Sequence, residues 1–427
     1  MSERFAPLAQ QPGAVVAEAG DNLLGEDAKV DEKTIRHHEL PAGLPLHYGD
    51  LYGEQERLAK GEAVTVLPHG VISVSGPQRG EWLTKLCTQK FDDLVRPDGT
   101  ATSSQIDKYW RHALWLDPKG HISFMAWGME MGDQILLVTQ NPEGLREHLE
   151  RFKLRTDVTI TDLSDEMLVL GDLVVREITP DLGQVKDLPG YVVSGRDPWP
   201  DVVEGGTAYT GALPDIAHPG ERQKRRFTVV RSQPETWQWL RSLGSGFPGS
   251  ATPPEDDLAG ALPWRYLAGF LAWEAMRVIA WKPSVVEVDE RSIPHELDLL
   301  RTAVHLRKGC YSGQETVARV VNLGRPPRRL VLLHIDGSEG TQVSAGTPIM
   351  LEGKVCGIVT TSASHYEAGP IALGLLKRAA PEHADYRVAG QAAAATTIVT
   401  PEGRSLASPQ QRPGIGLNRT ARHYPIL

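Results

Sequence analysis

A thiol and the residue types that could activate it stand together in one short segment of the 427-residue chain, residues 307–315. Cys310 lies there between two glycines, after two cations and before a carboxylate. Glycine tolerates positive φ and has no Cβ atom, so the loop can wrap closely around a ligand. Adjacent Lys and Arg side chains favour the thiolate form of a cysteine. The segment predicts a reactive cysteine, and the alternative is a small apolar thiol packed in a tight turn.

The residues from Lys308 to Glu315 read K-G-C-Y-S-G-Q-E. They resemble the K-G-C-Y-x-G-Q-E signature of the YgfZ folate-binding proteins, which are relatives of the glycine-cleavage T-protein, an aminomethyltransferase. Similarity of layout covers roughly residues 55–380 and leaves out both ends. Further matching residues flank the signature at the spacing of the family, at Ser292–Glu296, Val317–Arg319, Gly324 and Arg328–Arg329.

The resemblance implies an α+β fold with three domains: two α+β units around a central opening that holds tetrahydrofolate, and a carboxy-terminal β-barrel. The patterning of the chain favours the same layout, because strands followed by a helix without strict alternation are typical of antiparallel sheets. We expect an N-terminal arm, mobile or loosely docked, at 1–48, a first α+β unit at 49–157, a second at 158–328, and the barrel with its tail at 329–427. The chain can interleave between the two α+β units.

Apolar periodicity and turn residues predict the individual elements. Short strands with glycine-rich turns after residue 329 indicate the barrel. The Pro- and Gly-rich residues Leu188–Gly220 predict a long surface excursion. In the first unit, strands are expected at 63–67, 71–74, 112–116, 122–128 and 134–140, and helices at 54–60, from Pro77 onward and at 142–155.

A strong helical pattern runs from Pro263 to Trp281, before the signature. Its apolar residues form one stripe, and at 100° per residue Glu274 lies in the middle of that stripe. A carboxylate on a buried face must be paired, hydrogen-bonded or protonated. Arg277 follows one turn later and could pair with it. Two roles therefore stay open for Glu274: contact with a ligand, or a structural ion pair.

Carried over one residue at a time, the resemblance and the helical pattern identify a candidate site for tetrahydrofolate, the expected cofactor. Apolar walls and polar groups would hold the flat pterin ring, while Arg or Lys meets the glutamate tail. The cysteine would offer a thiolate for redox exchange or transient metal contact. The candidate catalytic residues are Cys310 and Lys308, and the candidate cofactor-binding residues are Glu274, Arg277, Tyr311, Gln314 and Glu315.

The sequence departs from the T-proteins where those enzymes carry the carboxylate that assists transfer to folate. The corresponding stretch, Gly120–Trp127, contains no acidic residue, and Phe or Met cannot exchange a proton. Arg277 matches an arginine that both the YgfZ proteins and the T-proteins place before the signature, but Val278 and Ile279 stand where a glutamate follows it in the T-proteins. Both absences argue against aminomethyl transfer. The predicted function is a folate-binding accessory protein whose relatives support iron–sulfur cluster assembly or repair and, through cluster enzymes, tRNA modification.

Two enzymatic alternatives remain open. A folate-dependent one-carbon transferase would use Glu274 or Glu315 in place of the missing carboxylate. A hydrolase with a cysteine nucleophile would require a histidine within hydrogen-bond reach of Cys310, and His295 and His305 are the nearest in sequence.

Composition limits the partners and the compartment. A net charge of -9 argues against nonspecific coating of nucleic acid or an anionic membrane, so weak contact with tRNA would rest on Arg222–Arg226 and Arg325–Arg329. The three cysteines include no C-x-x-C pair, which argues against a disulfide framework or a metal site and favours a reducing cytosol. Cys87 is predicted to be core and Cys356 structural. We expect neither a secretory signal nor a membrane span.

Overall fold

The computed structural model of the protein describes residues 4–21, 39–95, 109–175, 185–210, 217–247, 250, 264–322, 324–339 and 343–409. Its helices are α1 (Ala6–Ala9), α2 (Leu51–Ala59), α3 (Arg79–Leu86), α4 (Pro142–Lys153), α5 (Pro234–Ser242), α6 (Phe270–Ile279) and α7 (Gln314–Asn322).

Its strands are β1 (Val15–Val16), β2 (Pro45–His47), β3 (Ala63–Leu67), β4 (Gly70–Ser75), β5 (Arg111–Leu116), β6 (Ile122–Glu130), β7 (Gln134–Thr139), β8 (Thr159–Asp162), β9 (Met167–Val174), β10 (Tyr191–Arg196), β11 (Lys224–Arg231), β12 (Tyr266–Leu267), β13 (Arg328–Ile335), β14 (Pro348–Leu351), β15 (Lys354–His365), β16 (Gly369–Lys377), β17 (Tyr386–Val388) and β18 (Gln391–Thr397).

The first α+β unit is built on an antiparallel sheet with the strand order β5-β6-β7-β4-β8, which leaves β5 at one edge. Successive side chains of a strand point to opposite faces. Trp115 accordingly packs with residues of α3 and α4 in one apolar cluster, while the preceding Leu114 belongs to the cluster shared with the second unit. The sheet therefore has helices on one face and the second unit on the other.

The second unit contains a sheet with the order β10-β11-β9-β3-β12, antiparallel except where β12 pairs with β3. Strand β3 comes from the segment that the sequence assigned to the first unit. The chain crosses into the first sheet at β4 and returns at β9, so the two α+β units interleave. One continuous apolar core, which includes Trp127 and Phe227, lies between the two sheets.

The carboxy-terminal unit is a closed barrel with the strand order β13-β16-β15-β14-β17-β18, closed by pairing of β18 with β13. Its interior is a separate apolar cluster that includes Val331, Ile349 and Leu376. Helix α6 packs against β15 of the barrel and against α2. The α+β fold class and the barrel that the sequence predicts are both confirmed.

Two expectations were wrong. Within Leu188–Gly220 the structure places strand β10 and buries Trp199 and Tyr209, which are 2% and 0% exposed, so the described part of that stretch is not a surface excursion. Of the predicted loosely docked arm, the described residues pack firmly, since Phe5 and Leu8 are fully buried. Apolar anchors spaced irregularly among Pro and Gly show no periodicity from which burial could be predicted.

Within the described residues, none of the helices has both the length and the apolar character needed to cross a membrane.

Candidate functional site

A cavity of about 520 Å³ lies between the two α+β units, at the free edge of β5. Its walls come from both units and from the segment that leads into the signature. The volume is within the range of small-molecule sites. Four consecutive residues of the first unit line it, Tyr109, Trp110, Arg111 and His112.

His112 is a deeply buried polar side chain on the wall of this cavity, with an exposed fraction of 1%, the same as that of Thr302. Its ring stacks on Trp127, with centroids 4.7 Å apart and planes inclined by 7°. Nδ1 lies 2.9 Å from the Thr302 hydroxyl, and Nε2 has no hydrogen-bond partner among the described residues. Burial, with the nearby charge of Lys282, lowers the pKa of His112 well below its usual value. The ring is therefore neutral at pH 7.

The cavity also presents charged groups that the sequence did not single out. The Asp93 carboxylate binds Arg111 through two contacts of 2.6 and 3.0 Å. Burial opposes ionisation of Asp93, but the Arg111 contacts prevail and hold the pKa of that carboxyl below its usual value. Glu130 ends β6, is 5% exposed and lies 3.9 Å from Arg79. The pairing of β5 with β6 brings Arg111 and Glu130 to one wall, and Asp93 joins them from the turn after α3.

Lys90 supplies a cation that lies near enough to Asp93 to help lower the pKa of that carboxyl but forms no salt bridge with a described residue. Its side chain is half-buried and lines the cavity, and the described chain places no carboxylate within ion-pair distance of it. An unpaired ammonium at the wall of a cavity can bind an anionic ligand group. No sequence pattern distinguishes Lys90 from any solvated surface lysine.

The signature segment divides into a buried lysine and an exposed thiol. Lys308 is 8% exposed, and its ammonium donates to the carbonyl oxygens of Thr84 and Cys87 at 2.5 and 2.7 Å. The same ammonium lies 4.4 Å from the centre of the Tyr311 ring. Burial lowers the pKa of Lys308. Lys308 thus caps the carboxy-terminal end of α3, whereas Cys310 is exposed to solvent.

The signature loop rests on the hairpin turn between β5 and β6. Gly313 has φ +79, and a Cβ atom there would lie 2.8 Å from Gly120 Cα. Only glycine permits that approach without a shift of the backbone. Helix α7 then begins at Gln314, whose side-chain amide donates to Lys308 O at 3.4 Å, while Glu315 is exposed. The signature thus lies directly against the stretch that departs from the T-proteins.

Cys310 is not among the residues that line the cavity, but it follows closely in sequence after one that does. His305 lines the cavity, and its N–H donates to Thr88 O at 2.9 Å. Cys310 lies five positions after His305, so their Cα atoms are at most about 18 Å apart. An exposed thiol and a cavity therefore share one short segment.

Glu274 and Arg277 belong to a buried ion network away from the cavity. The Arg277 Nε donates to the two Glu274 oxygens at 3.0 and 2.9 Å, and its Nη1 donates to Glu287 at 2.9 Å. Although burial lowers it, the charges of Glu274 and Glu287 raise the pKa of Arg277 above its ordinary value. Nη2 donates to the Thr361 hydroxyl at 3.1 Å, which ties α6 to the barrel. The structural ion pair is present, and the ligand role of these two residues stays a prediction.

The stretch that departs from the T-proteins lines a second, much smaller crevice. Ile122–Met125 faces Val285 and Val288 across a volume of about 10 Å³. A space of that size holds about one water molecule. No substrate can enter at this end of β6 without movement of the walls.

Among the described residues, no histidine is hydrogen-bonded to the Cys310 thiol. In the described chain neither His295 nor His305 is hydrogen-bonded to Cys310, and His295 Nε2 lies 3.2 Å from Val317 O. Burial lowers the pKa of His295 to about 4. Cys87 is fully buried, and burial raises the pKa of its thiol to about 11.

The arginine clusters considered for tRNA are mostly turned inward. Arg225 and Arg226 are 1% and 2% exposed, and Arg226 binds Asp172. Arg328 binds Asp289 and Glu296. Within the described ranges, no group of three or more His, Cys, Asp or Glu side chains is arranged to hold a metal ion.

Comparison with solved structures shows the fold. The chain is similar to the glycine cleavage system aminomethyltransferase T from Bartonella henselae, with a TM-score of 0.60 and 15% identity, over 93% of this chain and 96% of that one. A likeness to heterotetrameric sarcosine oxidase from Corynebacterium sp. U-96 has a TM-score of 0.22 and 16% identity, over 45% of this chain and 89% of that one, and supports no conclusion.

At the level of sequence, the chain is 30% identical over 126 residues to a chloroplastic protein of Arabidopsis thaliana that is provisionally named a transferase. The match covers 28% of this chain and 26% of that relative, so the chain spans about a quarter of the curated relative it matches. No protein-family model matches the chain.

Proposed function

We propose that the protein binds tetrahydrofolate in the cavity between its α+β units and acts as an accessory protein of YgfZ type. Its role would be to support assembly or repair of iron–sulfur clusters and, through cluster enzymes, tRNA modification. The T-protein-like fold and the K-G-C-Y-S-G-Q-E signature support this assignment.

The observation that carries the proposal is the chemistry of the cavity. Tyr109 is 45% exposed and offers aromatic surface, and the buried Nε2 of His112 has no hydrogen-bond partner among the described residues. Lys90 offers a cation for the glutamate tail of folate. A flat polar ring with a carboxylate tail matches this set of groups.

Cys310 would supply the accessory chemistry. The thiol is exposed and stands a few residues from the cavity wall at His305, so a client protein can reach it while folate is bound. A thiolate there could exchange with a disulfide or contact a metal transiently. Lys308, by contrast, would have a structural role, because its ammonium donates to two carbonyl oxygens at the end of α3.

Folate binding is tested by titrating the protein with tetrahydrofolate while following tryptophan fluorescence, with calorimetry as a second readout. We expect saturable binding, and we expect Lys90→Gln to weaken it by about tenfold, as for loss of one charge-assisted hydrogen bond. Lys60→Gln removes a lysine that follows α2, outside the cavity, and the variant should bind like the wild type. No saturable signal in either readout for the wild type would overturn the folate assignment.

The accessory role is tested by complementation in a bacterium that lacks its own YgfZ-type protein. Cys310→Ser should leave folding and tetrahydrofolate affinity nearly unchanged but abolish complementation, because serine cannot exchange with disulfides. Cys356→Ser is the matched control, since that half-buried thiol donates to Ile349 O and should be dispensable. Full complementation by Cys310→Ser would contradict the role given to the thiol.

A folate-dependent one-carbon transferase is the second candidate, favoured by the provisional name of the Arabidopsis relative. Of the substitute carboxylates considered, Glu274 is paired with Arg277 and Glu315 is exposed, and neither lines the cavity. Glu130 does line it. Turnover of an aminomethyl donor with tetrahydrofolate that is lost in Glu130→Gln would establish this second function.

A further inference from the structure

The edge of strand β5 is tied down at two points and open between them. The Trp110 N–H donates to Arg196 O at 2.9 Å, and the Leu114 N–H donates to the Thr88 hydroxyl at 2.9 Å. Thr88 N–H in turn donates to Leu114 O at 2.9 Å. These bonds all lie on the side of β5 away from β6.

His112 stands midway between those two points. Alternate residues of a strand direct their backbone N–H and C=O groups to the same side. Since Trp110 and Leu114 bond away from β6, the N–H and C=O of His112 also point away from β6. No described residue supplies a hydrogen-bond partner to either group on that side.

The open edge faces the cavity. Tyr109, Trp110, Arg111 and His112 all line it, although side chains of successive residues point to opposite faces of the sheet. A cavity that touches residues from both faces must run along the edge of the strand. Buried backbone N–H and C=O groups are rarely left unpaired, so these two require a ligand or water.

From this edge we infer that the cavity binds its ligand through the backbone of His112, which pairs with the cyclic amide edge of a pterin ring. The ring N–H would donate to the His112 carbonyl, and the adjacent ring carbonyl would accept from the His112 N–H. The inference rests on the proposed function and adds the recognition element and the part of the ligand that it recognises.

The hydrogen bonds already formed on either side of His112 favour a small ring over a peptide as the ligand. An extended peptide that adds a strand to a sheet forms main-chain bonds at alternate residues along the edge. At this edge the Trp110 N–H and the Leu114 N–H and C=O are already bonded, so only the Trp110 C=O and the N–H and C=O of His112 lack a partner among the described residues. An added strand would need bonds beyond these three groups. Two hydrogen bonds to one residue suit a compact heterocycle, and the exposed ring of Tyr109 on the same wall offers it an aromatic surface.

Substitution by proline tests the backbone N–H directly. His112→Pro removes that donor, and proline is tolerated in an edge strand where the N–H does not bond the neighbouring strand. His112→Ala is the matched control, because it removes the same imidazole and keeps the N–H. We expect His112→Pro to bind tetrahydrofolate at least about tenfold more weakly than His112→Ala by calorimetry, because the ring carbonyl loses its partner. Equal affinities would overturn the inference.

A pair of ligands tests the same contact in the unaltered protein, and decides the matter if His112→Pro fails to fold. Pterin and 3-methylpterin differ at the ring nitrogen that would donate to the His112 carbonyl. We expect pterin to bind at least about tenfold more tightly than 3-methylpterin. Equal binding of the two would overturn the inference while leaving the folate assignment intact. Failure of the wild type to bind both tetrahydrofolate and pterin would overturn the folate assignment itself.

Discussion

The two ends of strand β6 differ in the volume of empty space that lies beside them. At Ile122–Met125 apolar side chains close against Val285 and Val288 and leave about 10 Å³. At Gly128–Glu130 the same strand borders about 520 Å³ with polar groups on the walls. The difference teaches that one strand can border an open, polar cavity at one end while its other end is packed shut by apolar side chains.

The Arg277 network lies beside the closed end of β6, and its removal should give the largest effect on stability. Glu287, which Arg277 binds, follows directly after two valines in the turn that closes the crevice. Arg277→Met leaves two buried carboxylates without their cation, which typically costs about 3–5 kcal/mol of unfolding free energy. Chemical denaturation at pH 7 measures the loss.

A matched control for Arg277→Met is Lys85→Met, which breaks an exposed pair with Glu81 on α3. It should leave the denaturation midpoint close to that of the wild type, because exposed pairs contribute little. A loss of unfolding free energy in Arg277→Met as small as that in Lys85→Met would contradict a stabilising role for the network.

Lowering the pH should destabilise the protein at the open end of β6, because the buried His112 lies there. Its pKa is lowered in the folded protein, so below about pH 6.5 the unfolded chain binds a proton that the folded chain does not. The neutral ring therefore makes its full contribution to the unfolding free energy above that pH. Below it, the contribution falls by about 1.4 kcal/mol per pH unit.

His112→Gln should therefore flatten the fall of unfolding free energy between pH 6.5 and 5 by about that slope. Thr302→Val removes the hydroxyl that meets Nδ1 but keeps the ring, so it should keep the slope and lower the stability at every pH. Parallel curves for His112→Gln and the wild type would contradict a neutral buried ring at this end.

The smallest effect is expected where a carboxylate is restored at the closed end. Ser123→Asp places an acidic residue in the stretch that departs from the T-proteins, yet the adjoining crevice has room for about one water molecule. We expect no aminomethyl transfer to tetrahydrofolate from this variant, the same as from its neutral analogue Ser123→Asn. Turnover by Ser123→Asp alone would show that substrate does reach the closed end.

Regular patterns in the sequence predicted much of the fold. Strand β3 was predicted at its observed bounds, β4 to β7 differ from prediction by a few residues, and helix α4 begins at the predicted proline. Helix α6 is shorter than its apolar pattern, because β12 takes the residues before it. Such elements depend on local periodicity and capping, which neighbouring residues largely determine.

By itself the sequence determined the α+β class, the barrel, the buried Cys87 and a signature with a single thiol between glycines. The tertiary structure alone decided that Cys310 is exposed while Lys308 is buried two residues earlier. It also decided that the cavity is bounded by His112, Lys90 and Glu130, which no motif joins. The physical reason is that burial and an open strand edge depend on which distant segments pack together, and residue spacing along one chain does not encode that pairing.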